Sequence, residues 1–175
     1  MPTLRLVSLC FVALAVVTPS ANAQKYRASN TNPHGEQLVA AFVSSSTCIG
    51  GQAAGLAEAI DAIKVALDAR AARSGQQFRA LGVATDWSPT VGLSYLAQFG
   101  NFDELHVGGN WFGLGPQQLL WADTAVRASI PQILVYKQRV ESTGPRVSFS
   151  PRVVIRQIAG PDSIIAWAKA GAPLP

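Results

Sequence analysis

The chain has 175 residues, 49% of them hydrophobic and only 14% charged, with a formal net charge of +4. That balance excludes a disordered, highly charged polypeptide and fits a chain able to bury a core. Basic residues are scattered, with Arg70, Arg73 and Arg79 the densest group, and none of them form a run interleaved with aromatics, so no nucleic acid partner is expected.

Residues 1–23 read as a secretory signal peptide. Arg5 supplies a short basic region, Leu6 to Val17 is apolar apart from Ser8, and Ala21-Asn22-Ala23 fits a small-residue cleavage site. The apolar stretch is shorter than the roughly 20 residues of a membrane span. The mature protein is therefore expected in the periplasm or outside the cell, with no membrane span after cleavage. Cys10 follows Leu9, where a lipoprotein signal needs a small residue, so a lipid anchor is rejected. About 150 residues remain, one domain by length, enough to form a core without disulfides.

Residues 24–36 are polar, with Asn32-Pro33 and Gly35, and read as a flexible N-terminal segment. The domain itself is expected to span residues 37–175. Leu38 to Val43 is apolar on both faces, as in a central strand covered by helices. Ser44 to Thr47 is a turn, Cys48-Ile49-Gly50-Gly51 follows, and a long helical pattern then runs to Gly75, a C-cap candidate. Within it Leu56, Ile60, Ile63 and Leu67 form one buried stripe, with Asp61, Lys64 and Asp68 on the other side.

Phe78 to Asp86 is a second apolar strand. Ser88-Pro89 then opens a helix to about Phe99, with serine as N-cap and proline at the first helical position. Phe102 to Val107 alternates as a half-buried strand, residues 110–115 form a loop, and Pro116 starts a short helix. Ile133 to Val140 and Val147 to Ala159 pair as an antiparallel hairpin turning at Gly144-Pro145. Gly160-Pro161-Asp162 begins a last helix with Ile164, Ile165 and Ala168 inside. The order β-α-β-α-β-α-β-β-α implies an α/β fold, a mixed sheet with helices on both faces.

Cys48 is the one cysteine left after signal removal. On a turn from strand into helix it would sit at the positive end of the helix dipole, which favours the thiolate. An odd thiol in an oxidising compartment points to a reactive site or to intermolecular pairing, a disulfide-linked homodimer included. The plain alternative is a buried, inert cysteine. Two histidines, His34 and His106, without ligand-like spacing give no expectation of a metal, and no motif calls for a cofactor. Hydrolase, zincin, P-loop and dinucleotide signatures are absent.

The element order, Cys48 before the first long helix, and Ile130-Pro131 before the fourth strand together resemble the thioredoxin-like family. The likeness is greatest to its secreted TlpA-like and redoxin-type branch, where the second strand runs into a segment like Gly82 to Pro89 here. The resemblance implies a three-layer sandwich whose mixed sheet ends in a hairpin, Cys48 as nucleophile, and a cis proline at position 131 lying against it. It also implies a substrate-binding surface made of Thr47, Ile49, Gly50, Gly51, Ile130 and Pro131. The sequence departs from the family where its second redox cysteine would stand, which is Gly51, and Leu38 to Val43 carries no buried acid. Resolution of a mixed disulfide by an internal thiol is thus ruled out. A peroxiredoxin loop is also poorly matched, with Ala41 where its proline belongs.

Two functions follow as expectations. One is monothiol exchange with protein or low-molecular-weight disulfides through Cys48. The other is a redox-inactive module that binds a protein partner in the cell envelope. Peroxide reduction through a sulfenic acid on Cys48 is a lesser third.

Overall fold

The computed structural model describes residues 25–29, 31–122 and 126–175; the expected signal peptide lies outside them. The chain is mixed α/β. Its strands are β1 (Gly35–Ser44), β2 (Gln77–Ala84), β3 (Glu104–Val107), β4 (Gln132–Thr143), β5 (Arg146–Phe149) and β6 (Val153–Ala159). They form a single sheet in the order β3-β2-β1-β4-β5, with β6 also paired to β4. β1, β2 and β3 are parallel and β4 is antiparallel to β1, so the sheet is mixed.

β1 is buried from Gln37 to Ser44 because both of its faces are covered. Leu38, Ala40 and Phe42 enter one apolar cluster, and Val39, Ala41 and Val43 enter another. Burying a leucine or phenylalanine of this kind stabilises by roughly 1.5–3 kcal/mol. The first cluster lies under helices α1 (Leu56–Arg73), α2 (Pro89–Leu96) and α4 (Pro161–Lys169). The expected stripe Leu56, Ile60, Ile63 and Leu67 is buried there, with Tyr95 and Leu96 of α2 and Ile164 and Trp167 of α4. The second cluster is covered by less: α3 (Leu114–Pro116) and the π-helical turn Gln117–Trp121, which contributes Leu119 and Leu120.

Three local expectations need correction. α1 does not start after Cys48. A 3-10 turn, Ile49–Gln52, comes first, and the chain then reorients through Gly55, whose φ of 81° suits glycine, before Leu56. Lys64, expected on the solvent side, is 2% exposed. Its ammonium donates to the carbonyls of Phe99 (2.7 Å) and Asn101 (2.8 Å) and lies 3.4 Å from Asp61. Burial lowers its pKa.

Part of the expected N-terminal segment packs on the domain. Tyr26 is buried edge-on against Phe78, and its hydroxyl donates to Asp103 at 2.6 Å. The same carboxylate accepts from the N–H groups of Ser29 and Ala80. Lastly, the second arm of the hairpin is two strands, not one. Pro151 offers no N–H to the ladder, and the arm breaks at Ser150–Arg152 between β5 and β6. Past Val140, β4 pairs only with β5, and that exposed ribbon turns at Gly144-Pro145.

Candidate functional site

The parallel strands β1, β2 and β3 end on the same side of the sheet, where β4 begins. Loops that meet at the carboxyl ends of parallel strands are the usual place for chemistry in α/β sheets. Four segments converge here: Ser45–Gly51, Thr85–Ser88, Ile130-Pro131 and Gly160-Pro161. Backbone bonds lock them together. Thr85 N–H donates to Ser44 O at 2.8 Å, and Gly160 N–H to Pro131 O at 2.9 Å.

Cys48 is half-buried and free. It caps the 3-10 turn and makes no side-chain bond to that turn. Its Sγ–H instead points at the carbonyl of Ile130, at 3.6 Å. The Ile130–Pro131 bond is cis. Gly50 packs beside that proline; a Cβ there would lie 3.0 Å from Pro131 Cδ and 3.4 Å from Pro161 Cδ. The thiol, Gly50, Ile130 and Pro131 thus form one patch. Thr47 is exposed beside it, and Ile49 is 92% exposed.

Gly51 lies apart from that surface. It is buried, and its carbonyl accepts the Tyr95 hydroxyl at 3.0 Å. That hydroxyl also bonds Ser44 Oγ at 2.7 Å. A Cβ on Gly51 would meet both oxygens and, at 3.1 Å, the Ser45 carbonyl. The position that a second cysteine would occupy therefore has no room for a side chain. Burial pushes the Tyr95 phenol up to about 12, and the nearby Cys48 and Asp86 side chains add to the upward push.

Sequence reasoning missed Asp86. This carboxylate, buried where β2 runs out, holds the turn ahead of Cys48. It accepts from Ser46 N–H at 3.2 Å, from Ser46 Oγ–H at 2.5 Å and from Ser45 Oγ–H at 3.3 Å. The signal was present: an acid ending an apolar strand, Phe78 to Asp86, needs a partner at the strand's end. Trp87, the next residue, is 70% exposed. With Ile49 it puts large apolar side chains on the two loops joined by the Asp86 clamp.

His106 lies in β3 and bonds Glu104 at 2.8 Å; that bond holds the Glu104 carboxyl below its usual range. Among the described residues no helix is long and apolar enough to cross a membrane. Compared with family models, curated proteins and solved structures, the chain matches none.

Proposed function

We propose that the protein is a secreted or periplasmic thioredoxin-like thiol protein that exchanges disulfides through Cys48 alone. The observation that carries this reading is the half-buried, unpaired Cys48 with its sulfur beside the Ile130 carbonyl and the 51 position closed to a second thiol. The strand order and the helices on both faces support a thioredoxin-like sandwich.

In the first step the Cys48 thiolate, its proton given to solvent, attacks one sulfur of a substrate disulfide. A bond forms from Cys48 to that sulfur, and the other substrate sulfur leaves as a thiolate. An external thiol of the glutathione class, or a protein thiol, then attacks the mixed disulfide and releases Cys48. Ile49 and Gly50 lie along the approach, and Ile130-Pro131 forms the wall against which the substrate segment rests.

The test is the rate of iodoacetamide alkylation of the folded protein across pH 5–9, paired with incubation in glutathione disulfide and mass analysis. The reading predicts alkylation without unfolding and a gain of one glutathionyl group on Cys48. A thiol that reacts only in denaturant overturns it.

That second outcome is the signature of the other reading, a redox-inactive module that binds an envelope protein. One feature favours it: the exposed Ile49 and Trp87 side chains stand on the two loops beside Cys48, an apolar pair that suits a protein partner.

A further inference from the structure

The face of the sheet opposite α1 is only partly covered. α3 and the turn after it leave an open groove of about 570 Å3 towards the start of β1, within the roughly 300–1,000 Å3 of small-molecule sites. It lies at the end of the sheet remote from Cys48 and is independent of the chemistry proposed there. Its floor is Val39, Leu81 and Tyr136, with Leu119 roofing one end, all of them buried.

Two half-buried arginines flank this floor on either side of β1. Arg152, just before β6, lies 5.5 Å over the Tyr136 ring and donates to the Gln118 carbonyl. Arg79 of β2 forms no ion pair among the described residues. Among the described residues the one carboxylate lining the groove, Glu104, already bonds His106. Two guanidinium groups against one engaged carboxylate leave an excess of positive charge over an apolar floor. A guanidinium short of partners and partly out of water is best satisfied by a planar oxyanion that takes two of its N–H groups.

We infer that this groove binds a small organic monocarboxylate with an aromatic or branched apolar body. Arg79 takes the carboxylate, Arg152 supplies the second cation, and the body lies against the exposed Phe149 side chain and Pro151 at the wall of the groove. A monoanion balances the excess charge, and the apolar wall of Phe149 and Pro151 favours such a ligand over a bare inorganic anion.

The test is isothermal titration of the protein with 4-phenylbutyrate, with 4-phenylbutyramide and inorganic phosphate in parallel. Saturable binding of one 4-phenylbutyrate per chain is expected. Replacing the carboxylate by the neutral amide, or making Arg79→Met, should each weaken it about tenfold or more, as loss of a charge-assisted pair does. Cys48→Ser should leave it unchanged. If Arg79→Met does not fold, Arg79→Gln and Arg152→Met carry the same expectation, with Val39 and Leu81 amide shifts as the readout. Absent saturable binding, amide binding as tight as the acid, or phosphate binding as tight as 4-phenylbutyrate overturns the inference.

Discussion

Tyr95 hands its hydroxyl hydrogen to the carbonyl of Gly51 at 3.0 Å, and the same oxygen fills the space that a side chain on Gly51 would need. The C-x-x-G arrangement is therefore built into the packing, not a C-x-x-C that merely lacks a sulfur.

Gly51→Cys accordingly should not restore a working dithiol. The added side chain must displace Tyr95 or Ser44, and overpacking of this kind costs about 1–3 kcal/mol. Urea unfolding with and without a reductant measures it. In the double variant Gly51→Cys with Tyr95→Phe, part of the loss should return, because the clashing hydroxyl is gone. A fully stable single variant in which Cys48 forms a disulfide with the introduced thiol would contradict the packing argument.

Asp86→Ala should loosen the turn ahead of Cys48. It leaves the Ser46 N–H and two serine hydroxyls without their acceptor, at a cost of about 1–3 kcal/mol. Amide exchange at Ser46 should accelerate, and Cys48 should alkylate faster than in the parent. Unchanged exchange at Ser46 would show that Asp86 does not hold the loop.

Asp103→Ala should free the N-terminal strap. One carboxylate accepts from Tyr26, Ser29 and Ala80, so its loss should cost about 2–4 kcal/mol. Native-state trypsin should then cut after Lys25 or Arg27 well before the body of the protein. Equal cleavage rates in parent and variant would refute the tether.

Alkali should unfold the protein through its phenols. All three tyrosines, Tyr26, Tyr95 and Tyr136, are buried. Burial pushes Tyr95 and Tyr136 up to about 12 from an ordinary 10.0, and Tyr26 is raised as well. The folded state therefore keeps these protons where the unfolded chain has released them. The stabilisation is whole below pH 10 and is lost as pH rises towards 12. Thermal melts across that window should fall steadily, with tyrosinate absorbance appearing together with unfolding. A phenol that titrates near 10 in the intact fold would show that one ring reaches solvent.

The elements were legible where a single period governed them. β1 reads from its apolar run, α1 from Leu56 to Leu67, and α2 from Ser88-Pro89. The patch of Cys48, Gly50, Ile130 and Pro131 was legible through resemblance alone, since 82 residues separate Cys48 from Ile130. What stayed hidden depends on partners distant in the chain. Lys64 reads as a surface residue until the carbonyls of Phe99 and Asn101 are beside it. Tyr26 sits in a polar stretch and is held by Asp103. The crowding at Gly51 comes from Tyr95, 44 positions away. Periodicity reports which face of an element is apolar; it does not report a polar group that a distant loop has satisfied.

The ribbon that continues β4 beyond Val140 carries no core residue from Glu141 to Ser150. Foreign sequence spliced at Gly144-Pro145 would thus hang clear of the sheet body. A fluorophore or affinity handle set there would leave the thiol end open, while the foot of the same ribbon, Phe149 and Ser150, walls the arginine-lined groove and would carry a signal of its filling to the tip.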